Sequence, residues 1–361
     1  MSSLADIAFL TQALRLAAQG LGRTWPNPSV GCVLVKDDVV LAEARTADTG
    51  RPHAEAVALA IAQNAARGAT AYVTLEPCSH HGKTPPCAQA LIDAGVARVV
   101  YASDDPDPRV SGNGVTMLRA AGIDVSHIPM PEADALNRGF FKRLQHGLPH
   151  VAMKLATSRD NFLSHGDGKR QWITGEFARA HGNALRGQYD AILTGIGTVL
   201  ADDPELTVRG ANVPNPYLVR VIADRHLRLP LTSKLVTTAN QQPVWVITSA
   251  EAVELNASHA TELREEGVIF LVVENKELPP ELILSSLATE GITRVLIEAG
   301  SQLSSAFMTA NLVETLHWYQ APSSLGNAGK AGIPVLDSVA QGAPAETRAL
   351  GEDTYERYEL N

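Results

Sequence analysis

Four side chains are spaced so that they could do chemistry together. His53 and Glu55 sit in the triplet His53-Ala54-Glu55, Cys78 follows Pro77, and Cys87 lies further along the chain. One imidazole and two thiolates make three protein ligands for Zn²⁺ and leave a fourth position open to water. Zinc lowers the pKa of its water towards neutrality and so supplies hydroxide at physiological pH. Glu55, two residues from a ligand, can stand beside the metal without binding it, take a proton from the water and pass it to a departing amine. The chemistry would be the hydrolytic release of an amino group. His80 and His81 are the alternative ligands, but the two cysteines need fewer assumptions. A structural zinc in a scaffold protein is the competing reading, and Glu55 discriminates, because a closed site has no use for a carboxylate. Cys32, inside the apolar run Val30 to Val35, is expected in the core.

The elements that must hold these residues can be read from periodicity. Leu4, Ile7, Leu10, Leu14 and Ala17 recur at helical spacing and predict an amphipathic first helix. Val30 to Val35 reads as a buried strand, and Ala54 to Arg67 as an alanine-rich helix opening at the His-Ala-Glu triplet. Ala71 to Leu75 is a second strand, and Pro85 to Ala94 a helix with proline near its start. A strand over Arg98 to Ala102, a helix over Val115 to Ala121 and a strand over Ile123 to Ile128 follow, then a helix near Glu132 to Gln145. Alternation of this kind implies an α/β layered domain. His146-Gly147-Leu148-Pro149 breaks the series, which divides the chain into domains 1–147 and 148–361. In the second, strands are expected at Val151 to Ala156, Ala191 to Thr194, Leu218 to Ala223, Val244 to Thr248, Val268 to Val273, Arg294 to Glu298 and Thr315 to Gln320, with Tyr355 to Leu360 as an edge strand.

Composition agrees with two globular domains. The 361 residues exceed one average core, 45% of them are apolar and 19% charged, and no long low-complexity tract interrupts them. The net charge of −9 disfavours a polyanion binder, so no nucleic-acid partner is expected. A nucleic-acid deaminase would also need stacking groups, yet aromatics make up only 5%. Three cysteines, an odd number, point to a reducing compartment rather than a disulfide framework. No export signal and no membrane span is expected, and the predicted location is cytoplasmic.

The order His-x-Glu, then Pro-Cys, then Cys matches the signature of zinc nucleobase deaminases, except that eight residues separate the cysteines here instead of two. With Pro26 to Gly31 (PNPSVG), Glu76 to Cys87 (EPCSHHGKTPPC), Asp105 to Gly114 (DPDPRVSGNG) and Asn137 to Phe141 (NRGFF), the first half closely resembles the bifunctional deaminase/reductase family of riboflavin biosynthesis. The resemblance continues through Lys154 to Ser158 (KLATS), Gln171 to Thr174 (QWIT), Thr194 to Arg209 (TGIGTVLADDPELTVR) and Ile297 to Leu303 (IEAGSQL). It implies a cytidine-deaminase-like α/β domain followed by a dihydrofolate-reductase-like α/β domain, with Zn²⁺ and NADPH as cofactors. The expected substrate is a phosphorylated pyrimidine, and the expected assembly a homo-oligomer, with a dimer favoured. By the resemblance, Asn27 would hold the pyrimidine, while His80, Lys83 and Asp105 line its pocket. A lysine there suits a phosphate in an otherwise acidic protein.

The second domain carries less signal of its own. It has no GxGxxG. Glu298-Ala299-Gly300-Ser301 does sit where a strand ends and a helix begins, a place where backbone N–H groups bind phosphate and glycine admits a pyrophosphate. The resemblance implies that Ala156, Trp172, Thr198, Asp202 and Gly300, Ser301, Gln302, Leu303, Ser304, Ser305 and Ala306 contact the nucleotide. Arg186, Leu206, Arg209 and Glu298 would contact the substrate, the arginines being suited to its phosphate, with Lys154 close to the reacting sugar. Two positions depart from the family pattern. Asn161 stands where a glycine is usual after the aspartate, and Arg170 where a small hydroxyl residue precedes the glutamine; Arg170 would supply a different phosphate contact or disturb the sugar site. A deaminase of a free or nucleic-acid base with a non-catalytic C-terminal domain remains the alternative.

Overall fold

The computed structural model describes residues 3–80, 85–108, 110–165, 172–209, 215–326, 329–330, 336–339 and 342–360. They form two compact units, Met1–Leu148 and Pro149–Asn361.

The first unit runs α1 (Leu4–Ala18), β1 (Gly31–Lys36), β2 (Val39–Arg45), α2 (Ala54–Ala62), β3 (Thr70–Val73), α3 (Cys87–Asp93), β4 (Arg98–Tyr101), α4 (Asn113–Ala120), β5 (Asp124–His127) and α5 (Pro131–His146). Its sheet has the order β2-β1-β3-β4-β5, with β1 antiparallel to both neighbours and β3, β4 and β5 parallel. Successive strand residues point to opposite faces. Cys32, Leu34, Ala71, Val73 and Val99 therefore pack among residues of α2, α3 and α4, whereas Val33, Val35, Tyr72 and Val100 pack with α1 and Ala133 of α5. The result is a three-layer α/β unit, with Cys32 in its core.

Two local expectations change. The helix begun at Ala54 stops at Ala62 because Gln63 leaves helical backbone (φ 49°), and Gln63–Ala66 continue as a 3₁₀ turn. Strand β2 is an addition. It pairs back on β1 through Asp37 and Asp38, both at positive φ as a tight two-residue hairpin turn requires.

Asp6 locks α1 to this sheet. Its carboxylate accepts hydrogen bonds from Arg98 Nη1 (2.7 Å) and Nη2 (3.2 Å), Tyr72 Oη (2.9 Å) and the Ser3 N–H (3.1 Å). The Arg98 guanidinium, foremost, holds its pKa well below the ordinary 3.8. A carboxylate depressed in this way stabilises the fold above its unfolded pKa, and that contribution is lost as pH falls through the depressed value. Asp6→Asn should therefore lower the melting temperature at pH 7, by a margin that narrows below about pH 4. A margin independent of pH between 7 and 3, read by thermal melts, would assign the loss to shape rather than charge.

The second unit runs β6 (His150–Thr157), β7 (Ser164–His165), α6 (Glu176–Leu185), β8 (Ala191–Gly195), α7 (Ile196–Asp202), β9 (Val219–Ala223), α8 (Lys234–Thr237), β10 (Val244–Ser249), α9 (Ala250–Leu255), α10 (Ala257–Glu265), β11 (Ile269–Val273), α11 (Pro280–Thr289), β12 (Arg294–Ile297), α12 (Ser301–Thr309), β13 (Thr315–Gln320), β14 (Gly329–Lys330), α13 (Leu336–Val339), β15 (Glu346–Leu350) and β16 (Asp353–Glu359). Nine strands form one sheet in the order β11-β10-β9-β8-β12-β6-β13-β16-β15, and β7 pairs with β14 separately. The strands from β11 to β13 are parallel, and β16 and β15 are antiparallel additions. The C-terminal strand is thus not the edge expected of it. It lies between β13 and β15, and β15, whose consecutive polar residues Glu346, Thr347 and Arg348 hide it from a pattern search, forms the edge. Among the described residues no helix is long and apolar enough to cross a membrane.

Candidate active sites

In the first unit, helix starts and strand ends bring the chemistry together. His53 is the N-cap of α2 and puts Glu55 in its first turn; Cys87 is the first residue of α3, after Pro86; Cys78 lies in the segment that follows β3. His53 Nδ1 stands 3.3 Å from Cys87 Sγ and 3.7 Å from Cys78 Sγ, and the Cys87 N–H donates to Cys78 Sγ at 3.3 Å. Bonds of about 2.0–2.3 Å to a tetrahedral zinc separate the ligand atoms by roughly 3.5 Å. The histidine–sulfur separations suit zinc, and the three donor atoms all lie within 4.8 Å of one another.

The charges fit as well. The Cys87 thiol and His53 hydrogen-bond to Cys78 and hold its pKa down to about 4, so a thiolate is ready at neutral pH. Cys87 is pushed up by that same hydrogen bond and by burial. Glu55 is almost wholly enclosed, and burial raises its pKa, which makes it a carboxyl that exchanges a proton readily.

A cleft, partly open to solvent, lies in front of this group. Asn27, His80 and Asp105 line it with His53, Glu55 and Cys78. Lys83, like His81, falls outside the described residues. Asn27 Nδ2 donates to the Gly50 carbonyl at 2.8 Å, which fixes the side chain. Gly50 has φ +82°, and a Cβ there would come within 2.5 Å of the Thr24 carbonyl and 2.7 Å of Asn27, so only glycine fits. Burial, with Asp107 and Glu76 nearby, raises Asp105 to about 6.

Further residues line the cleft that motif reading did not single out, among them Glu76, Arg51, Phe140 and Arg143. Glu76 has a structural task. It accepts the N–H groups of Gly112 (3.0 Å) and Val115 (3.4 Å) and so ties the cysteine segment to the turn that opens α4. Phe140 and Arg143 lie on α5, the helix expected near Glu132 to Gln145, and Phe140 falls in the Asn-Arg-Gly-Phe-Phe motif.

In the second unit, Lys154, Arg186 and Glu298 meet at the carboxyl ends of β6 and β12. Arg186 grips Glu298 with both prongs (Nε to Oε1 2.6 Å, Nη2 to Oε2 3.0 Å) and donates to the Thr207 carbonyl at 2.8 Å. Lys154 Nζ lies 3.9 Å from Glu298 Oε2. The Arg186 and Lys154 cations hold the Glu298 pKa down against its burial, and burial lowers that of Lys154. With the Arg186 fork engaged, the exposed arginine of the pair is Arg209, while Leu206 beside Thr207 is buried in a left-handed turn (φ 53°).

Gly300 caps α12, with Ser301, Gln302, Leu303, Ser304, Ser305 and Ala306 in its first turns, and Gly195 caps α7, which carries Thr198 and Asp202. A Cβ at Gly300 would be 3.8 Å from Thr198 Oγ1, and one at Gly195 3.7 Å from Leu303, so the two helix starts adjoin. Both glycines have extended backbone, and neither is crowded from within the protein. Their bareness leaves room for an outside group. Ala156 is near the end of β6, and Trp172 is 61% exposed, with the Arg179 guanidinium 5.0 Å from its ring centre. Arg170 falls outside the described residues. Asn161 adopts φ +63°, a region asparagine tolerates, so it can replace a glycine there without a different backbone.

Fold and sites define a two-domain protein, a deaminase-type zinc domain joined to a reductase-type α/β domain. The family description "Cytidine and deoxycytidylate deaminase zinc-binding region" matches residues 4–103, and "RibD C-terminal domain" matches residues 149–355. The riboflavin biosynthesis protein RibD of Escherichia coli K12 is 42% identical over 96% of this chain and 97% of its own, and that of Haemophilus influenzae 40% identical over 96% and 95%. Among solved structures, Acinetobacter baumannii RibD aligns over 99% of both chains at 40% identity with a TM-score of 0.87. A Thermotoga maritima protein described as a diaminohydroxyphosphoribosylaminopyrimidine deaminase/5-amino-6-(5-phosphoribosylamino)uracil reductase aligns over 99% of both at 32% identity, with a TM-score of 0.83. The chain belongs to the RibD family of bifunctional riboflavin-biosynthesis enzymes.

Proposed function

We propose that residues 1–147 hydrolyse the 2-amino group of 2,5-diamino-6-ribosylamino-4(3H)-pyrimidinone 5′-phosphate, and that residues 148–361 then reduce the ribosyl group to ribityl. The observation that carries the first step is the convergence of His53 Nδ1 and two cysteine sulfurs beside the enclosed carboxyl of Glu55. Zinc held by His53, Cys78 and Cys87 would supply a nucleophilic water at neutral pH. Glu55 takes that water's proton and delivers it to the leaving amine, which departs as ammonia. Asn27, with its Nδ2 spent on Gly50, offers its carbonyl oxygen to a pyrimidine N–H. His80 and Asp105 enclose the base, and Lys83 meets the phosphate.

For the second step, NADPH would supply hydride to C1 of the opened sugar. The first turns of α12 from Gly300 to Ala306, with Thr198 and Asp202 of α7, cradle the nucleotide, helped by Ala156 and Trp172. Lys154 gives the proton that accompanies reduction, and Glu298, gripped by Arg186, orients it. Leu206 shapes the sugar site, and Arg209 and Arg170 take the phosphate. We further infer a cytoplasmic homodimer, in keeping with three thiols that form no disulfide.

Ammonia release followed by NADPH oxidation, from the one diaminopyrimidine substrate, tests the whole scheme. Gly300→Val separates its halves. The first added carbon has room beside Thr198, so the fold stands while the bulk enters the nucleotide path. NADPH consumption should drop by at least ~10-fold with ammonia release unchanged, since a misplaced reactant forfeits that much. Undiminished NADPH turnover in this variant would remove α12 from the cofactor site.

A further inference from the structure

We propose that Tyr319 and His181 position the ammonium group of Lys154 for proton transfer in the reduction, Tyr319 through its ring face and His181 by fixing that ring. The proposal rests on the reductase reading above and adds two residues that none of its motifs contains.

Lys154 needs a proton to give, yet it sits in a half-buried place that disfavours charge. Glu298, its only close carboxylate among the described residues, has both oxygens within hydrogen-bond distance of Arg186 and stands 3.9 Å from Nζ. The Arg186 guanidinium, bound to the same carboxylate, repels a second cation. What remains is the face of Tyr319, whose ring centre lies 5.7 Å from Nζ, within the range where an aromatic quadrupole attracts an ammonium.

Tyr319 is buried on β13, and its hydroxyl is hydrogen-bonded to His181 Nδ1 at 2.8 Å. His181 belongs to α6, where the next residue, Gly182, would bring a Cβ to 3.4 Å from Lys154 Cε and 3.7 Å from the Tyr319 hydroxyl. A bare backbone at that point lets the lysine stem and the tyrosine ring share one side of the helix. The titratable groups that face Lys154 are therefore Glu298 at the end of β12, Arg186 after α6, His181 on α6 and Tyr319 on β13. His317, the register partner of Lys154 on β13, is held between the hydroxyls of Tyr189 and Tyr355, each 2.9 Å away. Burial drives its pKa down to about 3, so it stays neutral and adds no competing charge.

In the step itself, C1 of the open-chain imine gains the hydride and the C=N electron pair moves to nitrogen. Nitrogen takes the proton from Nζ, and the nicotinamide leaves as NADP⁺. The buried ring face acts through the lysine: it favours the ammonium before transfer. Tyr319 and His181 are positioning residues.

The test is the pH profile of NADPH oxidation on the deaminated substrate, with NADPH affinity as the control for folding. Tyr319→Leu should lower kcat about 10-fold, leave the KM for NADPH unchanged and move the basic limb of the kcat profile down by about one pH unit. His181→Asn, which frees the ring without removing it, should move the limb in the same direction by less. If Tyr319→Leu fails to bind NADPH, the His181→Asn profile decides alone. A basic limb at its wild-type position in a variant that binds NADPH overturns the proposal, since a merely structural role scales kcat without moving it. Lys154→Met keeps the two ideas apart. Wild-type turnover there removes Lys154 as the proton donor and overturns the proposal while the reductase reading stands. No NADPH oxidation by the wild-type protein sinks the reductase reading itself. An inactive Lys154→Met beside an unshifted Tyr319→Leu profile sinks only the role of Tyr319 and His181.

Discussion

Glu55→Gln is expected to keep its zinc and lose deamination by at least ~10²-fold, the usual scale for removing a general acid–base group. Gln matches Glu in size and retains a carbonyl acceptor, but it cannot carry the proton from water to the leaving amine. The carboxyl is enclosed, lies in the first turn of α2 two residues from His53, and has its pKa raised by burial. Ammonia release and zinc content, measured on the same preparation, decide the matter. Near-normal turnover would mean another group carries the proton; loss of zinc would mean Glu55 acts through the metal site instead. Oxidation of NADPH with already deaminated substrate should be untouched, because Lys154, Arg186 and Glu298 all belong to the other unit.

Cys78→Ser should go further and remove the metal. Its sulfur accepts the Cys87 N–H, stands 3.7 Å from His53 Nδ1 and ionises far below the ordinary thiol range, so it is the donor that carries anionic charge before any metal arrives. A serine hydroxyl stays protonated at neutral pH and is a poor zinc ligand. Zinc should fall from about one per chain to near zero, and ammonia release should become undetectable. Metal analysis of the purified variant checks this. Full zinc occupancy in Cys78→Ser would break the proposed ligand set and return His80 to consideration. Reductase turnover again serves as the control.

Much of the zinc site could be read from the chain because its members are local punctuation. A histidine that caps a helix, a glutamate two residues on, and a cysteine at the first turn of the next helix are set by backbone geometry within a few residues. The His-x-Glu triplet and the Pro-Cys pair were therefore legible even with the unusual spacer. The central strands were legible for the same reason, since their apolar runs are short and bounded by turns. Strand β2 was not, because its exposed hairpin alternates too weakly.

Tertiary structure alone decided the rest. That Arg186 would spend its fork on Glu298 depends on two residues 112 positions apart meeting, one in the turn after α6 and the other just past the end of β12. The C-terminal strand became interior rather than edge because β15 could pair with its free side, a choice made by register and not by composition. The ring of Tyr319 lies beneath Lys154 only because β13 is parallel to β6 and α6 crosses at a glycine. Residue types and short spacings determined which chemistry was available to this protein. Long-range pairing determined which charges face one another, because an electrostatic interaction depends on distance in space, and that distance is set only when the sheet closes.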